Sequence, residues 1–352
     1  MISENFLIIN GFKRTYHFCG NSSVVNIYES GNKAYAVKKP KNEQMAHLWH
    51  MSAQKSYEMR KILGNLCTPV QTSEIESFQN HTLIEQYLPG QHINDLLYTS
   101  LPESEQNQIA QDIAVFLNEL HQYHMDVIEN KAPVNPEPLG YGTSAIIKQA
   151  VGEENWELFQ SNLQHIRNMQ HLAKHICYTH QDLRPGNVLY DTETKTVKIV
   201  DFGEAGKDKD IYYDFAPTIS KPGLLPWKLT EKIIQVYNTL DKKIPVHIDL
   251  DLVRKLQIQQ ILKLFETKIF DSKLQLPQVS YTALGTSFNT HKGNVHIGKI
   301  PEKTAKQASE YYENEFKPLI DERLDKHANP RKIHTSLPSV ARRYKSPMQV
   351  HE

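Results

Sequence analysis

The sequence predicts an α+β protein in which a small antiparallel sheet comes first and a larger, mostly helical part follows. Between residues 12 and 39, three runs of strand-forming residues are joined by short turns, which is typical of neighbouring β-strands. From residue 100 onward, apolar residues recur at helical intervals instead. With 352 residues, of which 39% are hydrophobic and 23% charged, the chain is long and apolar enough to bury a substantial core.

The composition argues against several kinds of partner. The 40 basic and 40 acidic residues cancel, so bulk charge favours neither nucleic acid nor an anionic membrane. Three scattered cysteines indicate a reducing compartment rather than a disulfide framework. No apolar stretch approaches the roughly eighteen residues of a membrane span, and no secretory leader is evident. We therefore expect a cytoplasmic protein with no nucleic-acid partner and no integral membrane segment; its oligomeric state is left undefined.

The predicted sheet begins with strands over residues 13–18, 24–28 and 34–39. The connection between the first two strands contains Gly20 and Ser22 and is short and small-residued. Such a loop allows backbone N–H groups to approach a phosphate. Taken alone, a loop with one glycine is more typical of an ordinary hairpin.

The next segments predict a helix, a hinge and a second helix. Residues 44–63 have an imperfect apolar face, and residues 82–88 form an apolar strand that ends at a Pro-Gly breaker. Ser100 and Glu103 have the spacing of a capping box, and helical periodicity follows them.

The remainder is predicted to be helical with irregular interruptions. Residues 131–145 and 276–301 are rich in loop-forming residues, and residues 329–352 have the proline-rich, basic composition of a disordered tail. The predicted helices cover residues 153–174, 230–240, 249–270 and 302–327, the last interrupted by Pro318.

The strongest functional signal is the stretch His180-Gln181-Asp182-Leu183-Arg184-Pro185-Gly186-Asn187, followed by Asp201-Phe202-Gly203. Two β-rich runs separated by a polar turn connect these motifs, so a loop and a hairpin place Asp182, Asn187 and Asp201 around one cleft. These groups can orient a hydroxyl and hold Mg²⁺ on the phosphates of a nucleotide. Turn and cap roles are the simpler alternative, but the two motifs at this spacing favour a phosphoryl-transfer site.

This loop and hairpin resemble the catalytic core of the protein-kinase-like fold. Residues 204–206 and 210–216 then resemble the corresponding run of aminoglycoside phosphotransferases and choline kinases. The Ala-Pro-Glu tripeptide that ends the activation segment of a protein kinase does not occur downstream. The sequence is therefore most similar to the small-molecule branch of the fold. One departure is Gln181, where that family usually has glycine.

The resemblance implies a bilobal protein-kinase-like fold. Its N-terminal nucleotide-binding lobe would cover residues 1–88, and its catalytic and acceptor-binding lobe would cover residues 89–328, ahead of the tail. The implied reaction moves the γ-phosphoryl group of a Mg-nucleotide to a hydroxyl of a small molecule. Asp182 would be the catalytic base, and Asn187 and Asp201 would hold Mg²⁺. His180 and Asp214 would support the loop.

The same resemblance assigns residues that bind the nucleotide phosphates. The run Tyr35-Ala36-Val37-Lys38 resembles the V-A-I-K strand, whose lysine pairs with nucleotide phosphates. Glu58, in the helix that follows, is the expected partner of Lys38. Gly20 and Ser22 would approach the phosphates through their backbone.

The base of the nucleotide would lie at the hinge. By resemblance, backbone groups from Gln86 to Leu88 would hold it. Glu85 stands where the family often has an apolar residue, so ATP and GTP both remain open as the nucleotide.

Two other functions share these residues, namely an atypical protein kinase and a nucleotide-binding scaffold without activity. The short segment after Gly203 argues against the first. Retention of Lys38, Asp182, Asn187 and Asp201 argues against the second. No motif beyond Ala216 identifies the acceptor.

Overall fold

A computed structural model describes residues 2–19, 23–129, 147–169, 174–217, 224–270 and 302–324. The sequence-predicted irregular segments 131–145 and 276–301 and the tail 329–352 lie outside these ranges. The strands are β1 Lys13–Cys19, β2 Ser23–Ser30, β3 Lys33–Pro40, β4 Gln71–Thr72, β5 Ile75–Gln79, β6 Thr82–Gln86, β7 Gln91–His92, β8 Asp126–Ile128, β9 Lys174–Thr179, β10 Val188–Asp191, β11 Thr196–Ile199 and β12 Gly206–Asp210.

The α-helices lie mainly in the later part of the chain. They are α1 Glu4–Ile9, α2 Glu43–Leu63, α3 Asp95–Ser100, α4 Glu103–Tyr123, α5 Glu153–Asn168, α6 Tyr212–Phe215, α7 Trp227–Thr239, α8 Leu250–Phe270, α9 Glu302–Tyr311 and α10 Lys317–Arg323. A π-helical turn, Tyr312–Phe316, precedes α10, which has Pro318 in its first turn.

The N-terminal part is an antiparallel sheet with strand order β1-β2-β3-β6-β5. Val25, Ile27 and Val37 are among its buried apolar residues. Helix α2 packs against β3 and β5, and its N-terminus is capped by the side chain of Asn42, which accepts a hydrogen bond from the Met45 N–H at 3.0 Å. The three strands predicted between residues 12 and 39 are confirmed, with slightly longer bounds.

The later part contains two small sheets, β4-β11-β10-β7 and β12-β9-β8. Helix α4 packs against α7 and β9 and contributes Ile109, Ile113 and Leu117 to the largest hydrophobic core. The capping box predicted at Ser100 is wrong: the helix begins after Pro102, and the Ser100 hydroxyl donates to the Leu97 carbonyl oxygen at 2.7 Å instead.

One predicted helix is shorter than expected. Helix α5 ends at Asn168, whereas the sequence pattern carried it to Lys174. Lys174 instead begins β9, which pairs with both β8 and β12 and thereby satisfies its backbone on both sides. Across the described ranges, helices that are long enough to cross a membrane are not apolar enough to do so.

Candidate active site

The predicted catalytic loop connects β9 to β10 and has an unusual backbone. Gln181, directly before Asp182, has φ of +63°, and Asp201, after β11, has φ of +65°. Residues other than glycine rarely adopt this left-handed backbone conformation, because it costs them roughly 1–2 kcal/mol per residue. Such conformations persist only where the surrounding structure enforces them, and they concentrate at functional sites. The strain also explains why glycine is expected at position 181.

A buried carboxylate holds the start of this loop. Asp214 accepts hydrogen bonds from the backbone N–H groups of His180 at 3.0 Å and Gln181 at 2.8 Å. The same carboxylate lies 3.0 Å from Nε2 of His121, whose Nδ1 is 3.2 Å from the Tyr237 hydroxyl. All of these side chains except Gln181 are buried. The left-handed turn is therefore fixed by a network that reaches from α6 to α4 and α7.

His180 connects the loop to the strand that leads to Asp201. Its Nε2 lies 3.1 Å from the Val200 carbonyl oxygen, which can only accept, so Nε2 carries the proton. Nδ1 then accepts a hydrogen bond from the Asp182 N–H at 3.3 Å. This geometry agrees with the supporting roles expected for His180 and Asp214.

Asp182 is held by two neighbours within its own loop. Nε of Arg184 lies 2.9 Å from both carboxylate oxygens of Asp182, and Nδ2 of Asn187 donates to Oδ2 at 2.8 Å. Asn187 also donates to the backbone carbonyl oxygen of Asp182 at 2.8 Å. The Asp182 side chain is 26% exposed, so solvent or a ligand can still reach it. Sequence reasoning assigned no role to Arg184, although the residue lies inside the motif.

Asn187 links this loop to the hairpin as well. Its carbonyl oxygen accepts a hydrogen bond from the Val200 N–H at 3.0 Å, directly before Asp201. Its side chain is buried, and Nδ2 is directed toward Asp182. Because Nδ2 of the amide donates to Asp182, Oδ1 is the side-chain atom of Asn187 that can accept a hydrogen bond or ligate a cation.

Lys38, on β3, is a cation of the N-terminal sheet whose pKa is affected by the charge of Asp201. Its Nζ lies 2.5 Å from Oε1 of Glu85, and the two side chains are only 15% and 8% exposed. Burial by itself lowers the pKa of Lys38, but the charges of Glu85 and Asp201 outweigh this effect and raise the pKa above its usual value. Lys38 is therefore protonated at neutral pH and interacts with Asp201. Its neighbour Lys39 is directed elsewhere and pairs with Glu4.

The expected pairing of Lys38 with Glu58 is wrong. Glu58 is exposed and accepts a hydrogen bond from Nε2 of Gln54, one turn earlier in α2, at 2.7 Å. The residue of α2 that approaches the hairpin is Ser52, because a Cβ atom built on Gly203 would lie 2.0 Å from its Oγ. At about 100° per residue, Glu58 lies roughly 120° around the helix from Ser52. The helix therefore turns Glu58 away from the site.

The hinge is fixed by backbone pairing and by one buried lysine. The N–H groups of Gln86 and Tyr87 donate to backbone carbonyl oxygens of neighbouring segments of the same chain, at 2.7 and 2.9 Å, so neither N–H group is available to a nucleotide base. Nζ of Lys198 donates to the Pro89 carbonyl oxygen at 2.7 Å and to Asp191 at 2.8 Å. Its hydrogen bond lowers the pKa of Asp191 to about 2. Leu88 follows directly and is buried, whereas Gly20 and Ser22 lie outside the described residues.

The antiparallel sheet, the later helices and the loop from β9 to β10 that carries the predicted catalytic residues define a phosphotransferase of the protein-kinase-like fold. A family model described as the phosphotransferase enzyme family (APH) matches residues 49–229, just over half of the chain, and the chain belongs to this family. The matched range contains Asp182, Asn187, Asp201 and Asp214 but begins after Lys38. A search of curated proteins finds no match.

Two solved structures share the fold. The streptomycin-ATP-APH(2")-IIa ternary complex aligns with a TM-score of 0.50 and 19% identity, covering 76% of this chain and 90% of that one. Aminoglycoside phosphotransferase APH(2'')-Ib, in its ADP-bound form, aligns with a TM-score of 0.52 and 18% identity, covering 87% and 94%. The predicted α+β, protein-kinase-like fold class is thereby confirmed.

Proposed function

We propose that the protein transfers the γ-phosphoryl group of a Mg-nucleotide to a hydroxyl of a small molecule. One observation carries the proposal: the loop with Asp182 and Asn187 is tied to the strand before Asp201, and Lys38 in the N-terminal sheet is near enough for the charge of Asp201 to raise its pKa. A protonated lysine, two carboxylates and an amide oxygen are the groups that phosphoryl transfer needs. The ATP and ADP complexes of the two similar structures support a nucleotide as the donor.

The residues fit a magnesium ion. Asp201 supplies a carboxylate and Asn187 an amide oxygen, since its Nδ2 is engaged by Asp182, and Mg²⁺ prefers such hard oxygen ligands. When bound, Mg²⁺ neutralises the phosphate oxygens and the charge that develops on them. Lys38 would bind the same phosphates from the sheet.

Asp182 would orient the acceptor hydroxyl and accept its proton. Its carboxylate is partly exposed and is fixed by Arg184 and Asn187, so its direction is set before an acceptor arrives. The Arg184 guanidinium also keeps a positive charge beside the reaction site, where it can stabilise the transferring group. By resemblance to the family hinge, the backbone at Gln86 and Leu88 would hold the nucleotide base, through groups other than the paired N–H groups of Gln86 and Tyr87.

We assign the nucleotide-binding lobe to residues 1–88 and the catalytic and acceptor-binding lobe to residues 89–328. The first sheet ends with β6 at Gln86, and the chain then passes the Lys198 contact at Pro89 into β7. A cytoplasmic location, where nucleotides are plentiful, is part of the same proposal, and the acceptor class follows from the family.

The experiment is a transfer assay with γ-labelled ATP and GTP. Acceptors would include aminoglycosides, small hydroxylated metabolites and a generic protein mixture. We expect label on a small molecule in the presence of Mg²⁺, with loss of transfer in Asp182→Ala and no loss in Asp251→Asn, a control on the exposed start of α8. Label on protein alone would favour a protein kinase. Failure of the wild-type protein to bind either nucleotide would overturn the proposal.

A further inference from the structure

The partner of Lys38 lies within the same sheet as Lys38 itself. Strands β3 and β6 are antiparallel, with Ala36 opposite Glu85 and Lys38 opposite Leu83. Side chains of alternate residues share a face, so Lys38 and Glu85 are diagonal neighbours across the two strands. Their 2.5 Å contact therefore follows from strand register, and both side chains are largely withdrawn from water.

Helix α2 supplies no competing carboxylate. Its acidic residues are Glu43, exposed in the first turn, and Glu58, which is exposed and bonded to Gln54. The helix presents the hydroxyl of Ser52 to the hairpin at Gly203 instead. An unpaired buried ammonium would be strongly unfavourable, so Lys38 depends on Glu85 and Asp201 for compensation.

We propose that Glu85 is the positioning residue for Lys38, in the place where a carboxylate on helix α2 was expected. The inference rests on the proposed function, since Lys38 matters only if a nucleotide is bound. Glu85 sits one residue before the hinge segment Gln86–Leu88, so it connects the phosphate-binding cation to the base-binding strand. Because both partners belong to adjacent strands, the pairing of Lys38 does not require a carboxylate from α2.

The test compares three glutamate-to-glutamine variants, Glu85→Gln, Glu58→Gln and Glu74→Gln. Glu74 is exposed and lies directly before β5, so it serves as the surface control. In Glu85→Gln we expect affinity for ATP to fall about 10- to 100-fold, the range for a lost charge-assisted hydrogen bond. Affinity for adenosine should stay unchanged, because Lys38 reaches only phosphates. The KM of the acceptor should also stay unchanged, which a general disturbance of the fold would not produce.

A second series separates positioning from folding. Glu85→Asp keeps the charge and should retain more ATP affinity than Glu85→Gln. In a Lys38→Met background, Glu85→Gln should cause no further loss, because the cation it orients is gone. Thermal unfolding of every variant identifies any that fails to fold, in which case the aspartate variant and the double variant still decide the question.

The outcomes are distinct. If the wild-type protein binds no nucleotide, the proposed function fails and the inference fails with it. If the wild-type protein binds ATP and Glu85→Gln behaves like Glu74→Gln, only the assignment of Glu85 is overturned. A selective loss in Glu58→Gln would likewise return the role to helix α2.

Discussion

The two sides of the proposed site hold their charged groups in different ways. Lys38 and Glu85 lie on neighbouring strands of a regular sheet, so backbone pairing sets their separation. Asp182 lies in a loop that begins with a left-handed residue and is held by Asp214, which lies on a later helix. On the proposed nucleotide side, the charged groups are positioned by strand register. On the proposed acceptor side, the charged group is positioned by side chains that are remote in sequence.

The two sides of the proposed site also differ in how they are packed. The first sheet is stabilised by three small separate groups of buried residues, while the loop rests on the largest core of the described chain. Changes under the loop should therefore disturb stability and turnover together. Changes at the sheet pair should mainly affect nucleotide binding. The predictions below test this division.

The largest effect is expected at Asp201, where the two sides meet. Asp201→Asn should abolish turnover, because Asp201 provides the negative charge among the two proposed Mg²⁺ ligands. It should also remove the extra thermal stabilisation that nucleotide gives in the presence of Mg²⁺. Asp251→Asn serves as the control. Normal activity of Asp201→Asn at ordinary Mg²⁺ concentration would show that the hairpin does not hold the metal.

Asp182→Ala should separate binding from chemistry. In the proposed mechanism the carboxylate orients the acceptor and does not bind the nucleotide, so the rate should fall by about 10²–10⁴ while nucleotide affinity remains nearly constant. Calorimetric binding and single-turnover transfer measure the two quantities on the same preparation. A proportional loss of both in a folded variant would make Asp182 a structural or metal-binding residue.

Asp214→Asn should reduce stability and turnover together. The carboxylate accepts two backbone hydrogen bonds and contacts His121, and an amide leaves at least one of these buried groups poorly matched. We expect a loss of about 1–3 kcal/mol in the free energy of unfolding, measured with urea, and a lower kcat. Asp112→Asn is the matched control, because Asp112 is also buried but, among the residues that the structure describes, bonds within α4, to Gln108 at 2.7 Å. Equal effects of the two substitutions would contradict a specific role in holding the loop.

Local patterns in the sequence predicted much of this architecture. The strands around Lys38 and the hairpin before Asp201 have short-range signals, and the structure forms both. It also brings Asp182 and Asn187 into contact and places Lys38 near Asp201. These relations depend on spacing within a motif or on the common topology of the fold.

Other features depend on information that one sequence does not carry. The contact of Lys38 with Glu85 depends on the register of two strands that are distant in sequence. The prediction that Glu58 pairs with Lys38 fails because the rotation of α2 about its axis turns Glu58 away from the site. The pairing of Arg184 with Asp182 depends on a side-chain conformation. Helix periodicity that continues to Lys174 could not show that this residue begins a strand, β9, which pairs with β8 and β12.

The smallest predicted effect tests why the loop has glutamine where glycine is expected. Nε2 of Gln181 donates to Asp208 at 2.6 Å, which offsets part of the cost of its left-handed backbone. Gln181→Gly relieves the strain but loses this hydrogen bond and gives the unfolded chain more freedom, so its stability should change by no more than about 1 kcal/mol. Gln181→Ala loses the hydrogen bond and keeps the strain.

Gln181→Ala should therefore be less stable than Gln181→Gly by about 1 kcal/mol, although alanine is ordinarily the more favourable residue. Urea unfolding of both variants measures the difference, and Asp208→Ala, which removes the acceptor, reports on the hydrogen bond separately. If alanine were as stable as glycine at position 181, the left-handed backbone would not be enforced by the Asp214 network. The loop could then relax locally, and the contrast between a strained acceptor side and a regular nucleotide side would disappear.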